Sequence, residues 1–348
     1  MRWSAFGAVV FALLSSCGDQ GKVSLSGAGA TFPAPFYNDA TKQYIDQYGV
    51  RVSYGAIGSG AGIRNLKDLT VDFGGTDVFL SEEEMARMPG KVLHIPTCIG
   101  GVVMGYNLPG IKDLKLTPAL VTKIYMGEIT NWNDPRISEV NPEVVFPNQE
   151  ITPVYRSEGS GTTAVFTEFM SEVDSQWNSS IGAGKSVDFS KGIAAKGNPG
   201  VAGVIAETVG AIGYLGSEYS LALNIPSALM QNASGNFVAA NMKSISVSGD
   251  VEQMPSDTRV VISNSQVPEA YPISTFTWII VYQEQSYNNR SKEQAKALHD
   301  FLLYLIMDEG ADSASKTHFS PLPNATRTIA ESVINSMTYE GQLVKDLK

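Results

Sequence analysis

Cysteine and histidine are scarce in this chain of 348 residues, with two of the first and three of the second. Two cysteines cannot build a disulfide framework, and Cys and His show no metal-ligand spacing, so neither a metal nor a cofactor is expected. His94 lies in an apolar stretch and His299 on a C-terminal helical pattern, which leaves few bases for enzyme chemistry. Basic residues are outnumbered, 25 Lys and Arg against 35 Asp and Glu, for a formal net charge of −10. A phosphate backbone demands a basic patch, so nucleic acid is excluded as a partner. Long apolar runs are missing too: the N-terminal one, Ala5 to Leu14, falls short of the ~20 residues that cross a bilayer. What is plentiful is core material, 43% hydrophobic residues with 14 Phe, 14 Tyr and 4 Trp, which argues against disorder. The length suggests two domains at ~150 residues each. The 33 glycines imply tight turns or backbone brought close to a ligand.

One positive charge at Arg2, the short apolar run and small residues before Cys17 read as a secretory signal over residues 1–16. Leu14-Ser15-Ser16-Cys17 resembles the lipobox of bacterial lipoproteins. The resemblance implies a lipid on the Cys17 thiol, cleavage before it, and a polar tether over 17–22. The protein would then sit in the periplasm or at the cell surface, held to a bacterial membrane by that lipid. Processing would leave 24 basic residues against 35 acidic ones, and Cys98 as the sole free thiol, within apolar Ile95 to Ile99. No intrachain disulfide could form, and a buried inert thiol is the expectation for Cys98.

Along the rest of the chain, alternating strands, glycine-rich turns and helical patterns follow one another. Val23 to Ser26 alternates as a strand, and Phe36, Ala40, Tyr44 and Tyr48 share one helical face. Val50, Val52 and Tyr54 form a second strand, with Ile63, Leu66 and Leu69 at helical spacing after it. Ser81 followed by Glu82, Glu83 and Glu84 fits a capping box. Gly100 to Tyr106 and Phe276 to Tyr282 read as buried strands, and Lys292 to Met307 as an amphipathic helix. The repeated order predicts an α/β fold with a parallel sheet and helices on its faces. Ala233 to Ser256 is polar and reads as an irregular, exposed excursion.

Three glycine-rich segments, Gly27 to Phe32, Gly58 to Gly62 and Gly159 to Thr163, each follow a strand and open a helix. A helix start offers about four unpaired N–H groups and about half a positive charge, and small residues let an oxyanion reach them. Three such loops aimed at one point make an anion cage that needs little net charge. Nucleotide motifs fail on detail. Phe32 stands where the dinucleotide fingerprint needs its third glycine, no Gly-x-x-x-x-Gly-Lys-Ser/Thr loop occurs, and Gly159-Ser160-Gly161 lacks nucleophile-elbow spacing. Taken singly, each loop is equally ordinary helix punctuation.

The same loops resemble those of the phosphate-binding proteins of bacterial phosphate ABC transporters, the PstS family. Gly27 to Pro35, Ile57 to Gly62, Val71 to Asp77 and Arg156 to Thr162 carry the likeness. Pro96 to Gly105, Tyr125 to Trp132, Gly210 to Tyr214 and Pro272 to Thr277 continue it in the family's order. It implies a type II periplasmic-binding-protein fold of two α/β domains, 23–103 plus 276–348 and 104–275. Two crossover strands near Val103 and Thr275 would join them, with the ligand in the interdomain cleft. It further implies that the Thr31 hydroxyl, the Phe32 N–H, Ser59, Arg156, Ser160, Gly161 and Thr162 donate to phosphate. Asp77 would accept, and Glu158, where relatives usually have Asp, would orient Arg156 without touching ligand. The implied partners are inorganic phosphate and the permease and ATPase subunits of the transporter, with no catalytic activity.

The residue types suit that ligand. Asp77 can accept a hydrogen bond from a protonated phosphate oxygen, whereas a sulfate oxygen carries no proton to offer and meets a like charge. Two other readings stay open at this level. One is a binding protein for sulfate, molybdate or a phosphonate; the other is a phosphatase using Ser59 or Ser160, for which no nearby base or metal set is apparent.

Overall fold

A computed structural model describes residues 23–251 and 253–347. The signal segment, Cys17 and the tether expected from the sequence lie outside the described residues.

The chain opens with β1 (Ser24–Gly29), α1 (Ala34–Tyr48), β2 (Arg51–Ala56), α2 (Ser59–Lys67) and β3 (Phe73–Thr76). β1 pairs in parallel with both β2 and β3. The face of α1 foreseen from its spacing is buried at Phe36, Ala40 and Tyr44, while Tyr48 at the last turn stays exposed. Each large apolar side chain so buried contributes ~1.5–3 kcal/mol. The capping box is present: the Ser81 hydroxyl accepts from Glu84 N–H, and the Glu84 carboxylate accepts from Ser81 N–H.

β4 (Val92–Tyr106) runs fifteen residues and is buried throughout. Beyond it come β5 (Thr152–Arg156), α3 (Gly161–Val173), β6 (Ile193–Ala195), α4 (Gly197–Glu207) and β7 (Ala211–Gly216). The chain returns through β8 (Ser274–Tyr282) and ends in a helical layer that includes α5 (Lys292–Ile306). The sheet order is β2-β1-β3-β8-β4-β7-β5-β6. β4 belongs to both halves: residues 92–101 pair with β8 in the first, and residues 102–106 with β7 in the second. The pattern-based expectation of a parallel sheet therefore needs correction, because the sheet is mixed. β8 runs antiparallel to both β3 and β4, and β4 runs antiparallel to β7. A strand that carries the chain out of the first half and one that brings it back must oppose each other. The β4–β8 register slips between Thr277 and Trp278, which face Cys98 and Pro96, so β4 carries one extra residue, Thr97, as a bulge.

Residues 233–256 also differ from expectation. They include the helix Met242–Ser248, capped by Asn241, with Ser244, Ile245 and Ser248 buried. A single buried apolar residue, Ile245, was too little to show as periodicity. Cys98 is a buried free thiol, as its apolar context suggested.

Candidate functional site

Gly58 precedes α2 with φ of +97°, a conformation that suits glycine, and turns the chain so that the first turn of α2 faces the second half. There the loop before α3 meets it. Gly60 N–H donates to the Gly159 carbonyl and Gly161 N–H donates to Ser59 Oγ, each at 3.0 Å. Both helices thus start at the same place from opposite halves. Ser160 caps α3, its Oγ accepting from Thr163 N–H at 3.1 Å.

The first loop joins through Thr31, the residue that follows Ala30 after β1. Thr31 Oγ1 accepts from Asn198 N–H at 3.1 Å and from Asn198 Nδ2 at 3.0 Å. Tyr219 donates its hydroxyl to the Thr31 carbonyl at 2.5 Å. Phe32 is fully buried and packs edge-on against Phe319, which pins the backbone beside Thr31.

Asp77 is 1% exposed, just past β3. Its Oδ1 accepts from the Thr277 hydroxyl of β8 at 3.0 Å, and its Oδ2 from the Thr162 hydroxyl at 3.4 Å. Burial pushes this carboxyl up to about 7, against the lowering by Thr277, Arg156 and Thr162. Arg156 ends β5 and is itself buried. Its Nε donates to Glu158 Oε1 at 3.0 Å, a second nitrogen forms an ion pair with the same oxygen, and Nη1 reaches Thr162 Oγ1 at 3.3 Å. Glu158 Oε1 also accepts from Gly197 N–H at 3.0 Å, so one carboxylate oxygen ties the arginine to the turn before Asn198.

Thr31, Phe32, Ser59, Asp77, Arg156, Ser160, Gly161 and Thr162 are all buried around one point, with Glu158 behind the arginine. The sequence reading did not single out Asn198, Thr277 or Tyr219. The run Lys196-Gly197-Asn198-Pro199-Gly200 was a turn signal that could have flagged Asn198. Larger surface pockets, such as one of about 500 Å³ beside His94 and Arg259, share no residue with this cluster. A small anion needs a closed cage of donors, and a broad groove does not supply one. Among the described residues, no group of three or more His, Cys, Asp or Glu is placed to hold a metal ion.

Two half-sheets that close helix N-termini around a buried point define a solute-binding protein of the periplasmic type. Residues 16–309 match the family model described as a PBP superfamily domain. Phosphate-binding protein PstS of Xylella fastidiosa is 34% identical over 305 residues, covering 86% of this chain and 82% of that one. The protein of the same name from Pasteurella multocida is 33% identical over 304 residues, covering 86% of each. A phosphate-binding protein from Stenotrophomonas maltophilia shares the fold at a TM-score of 0.70 and 20% identity, covering 89% of this chain and 93% of that one. The chain belongs to the PstS family of phosphate-binding proteins.

Proposed function

We propose that the protein binds inorganic phosphate in this cage, outside the cytoplasmic membrane, and delivers it to a phosphate ABC transporter. It is a binding protein and not an enzyme, as its relatives and structural neighbours are. The observation that carries the reading is one buried carboxylate, Asp77, set among donors otherwise suited to an oxyanion. Thr31, Phe32, Ser59, Ser160, Gly161 and Thr162 supply hydroxyl or N–H donors, and Arg156 a planar cationic fork. Asp77 accepts the proton that phosphate keeps near neutral pH, and Glu158 holds the arginine. Rejection of a ligand that lacks a needed proton can reach a factor of ~10⁴ in a site built around it.

The two halves act as the domains 23–103 plus 276–348 and 104–275, closing about the crossovers near Val103 and Thr275. Support comes from the hydrogen bonds that already cross between them at Thr31, Ser59 and Gly60. Two ion pairs, Lys185 to Glu84 and Arg259 to Glu82, cross as well. The Leu14 to Cys17 pattern supports a signal over residues 1–16 and a lipid anchor on Cys17. Kinship with phosphate-binding proteins PstS supports the permease and ATPase subunits of a phosphate ABC transporter as partners at the membrane. Isothermal titration of phosphate-stripped, folded protein tests the ligand. One saturable phosphate site with sulfate excluded at pH 8 is expected. No binding, or equal binding of sulfate, would overturn the assignment.

A further inference from the structure

We infer that Asn198 is a positioning residue that sets the polarity of the cage, making the Thr31 and Thr162 hydroxyls donors only. The inference deepens the phosphate-binding reading and rests on it.

A threonine hydroxyl has one O–H to give and two lone pairs with which to accept. Both lone pairs of Thr31 Oγ1 are taken by Asn198, one by its backbone N–H at 3.1 Å and one by Nδ2 at 3.0 Å. Thr162 Oγ1 accepts from the same amide at 3.2 Å and from Arg156 Nη1 at 3.3 Å. Each hydroxyl therefore keeps only its proton to offer. Thr162 directs its proton at Asp77 in this structure, and the Thr31 hydroxyl donates to no group among the described residues, which leaves its proton for a ligand oxygen. The orientation of the Asn198 amide follows from its other end. Oδ1 accepts from Gly216 N–H at 2.9 Å, so the NH₂ group must face the two threonines. Asn198 is fully buried at the start of α4, after Gly197, whose φ is +71°. Glu158 pins the same turn through Gly197 N–H, so the arginine and the asparagine share one support.

The consequence is selective. A rotatable hydroxyl can either donate to an oxyanion or accept from a protonated oxygen. With its lone pairs filled it can only donate, so neither threonine competes with the Asp77 carboxylate for the ligand's proton. Asn198 thus assigns the ligand's proton to Asp77 without touching the ligand.

Asn198→Asp keeps the shape and replaces the NH₂ donor by an oxygen, which accepts from Thr31 and turns its proton away from the ligand. Added charge alone would weaken binding, so the readout is a double-mutant cycle with Thr31→Val, in which the charge effect cancels. In the wild type, Thr31→Val should raise the phosphate Kd at least ~10-fold, as expected for a hydrogen bond to a charged group. In the Asn198→Asp background the same change should cost less than ~2-fold, because the hydroxyl no longer points at ligand. Asn198→Ala, which frees the hydroxyls to rotate, should give an intermediate cost and keeps the test alive if the Asp variant does not fold. Near-ultraviolet circular dichroism checks folding of each variant. Equal costs of Thr31→Val in all three backgrounds would overturn the role of Asn198 and leave phosphate binding intact. Failure of the wild type to bind phosphate would overturn both.

Discussion

Burial sets the proton affinity of two carboxyls in this protein, with opposite functional weight. Asp77, lifted to about 7 by its burial, is ionised at pH 8 and largely protonated at pH 6. Protonated, it can donate to a bare sulfate oxygen; ionised, it repels one. Sulfate affinity should therefore rise about tenfold from pH 8 to pH 6, following the protonated fraction. In Asp77→Asn it should be higher and flat with pH. Titrations of sulfate at both pH values check this, and a flat wild-type profile would remove Asp77 from the discrimination. Glu218 is 3% exposed, and neither carboxyl oxygen has a side-chain partner among the described residues. Burial holds it well above its ordinary 4.5. A raised acid binds its proton more tightly folded than unfolded, so its stabilising contribution is complete below about 4.5 and is lost as pH rises toward the folded value. Glu218→Gln should melt with the wild type at acid pH and above it at pH 8. Thermal melts in which the gap fails to widen with pH would refute this.

At the scale of elements, the starts of α2 and α3 do the positioning, and glycine lets them meet. A Cβ on Gly161 would lie 2.5 Å from Ser59 Oγ and 2.7 Å from an Asp77 carboxylate oxygen. Those groups belong to the other half, which can stand off from α3, so Gly161→Ala should leave the melting temperature close to that of the wild type. It should weaken phosphate binding ~10-fold or more, since the halves cannot close onto the ligand. Retained affinity would show that closure does not pass through this contact. β8 is the other element of consequence, because it brings the Thr277 hydroxyl to Asp77. The alternation of strand and helix was legible in the sequence, since hydrophobic period and capping residues are local signals. The antiparallel pairing of β4 with β8 was not, because apolar runs such as Gly100 to Tyr106 and Phe276 to Tyr282 are buried on both faces and read alike in either direction.

For the whole molecule, a net charge of −10 stands beside a proposed anion site, and the two are compatible. The cage relies on backbone and hydroxyl donors and one arginine, and it is sealed from solvent. Surface charges beyond ~8 Å are largely screened at physiological salt, so raising salt from low to physiological levels should change the phosphate Kd by no more than ~3-fold. Titrations across that range test it, and a steep loss with salt would place binding on an exposed cationic surface.

The sequence by itself determined the three glycine-rich helix starts, the acidic residue after β3, the arginine that ends β5 and the shortage of metal ligands. Those are local properties, written in capping residues, small side chains and hydrophobic period. Only the tertiary structure decided what surrounds them. Thr31 meets Asn198 across 167 positions, Ser59 meets Gly161 across 102, and Asp77 meets Thr277 across 200. A hydrogen bond at such separation leaves no periodic trace in the chain. It exists because one long strand is shared by two half-sheets, which brings the two sets of helix starts face to face.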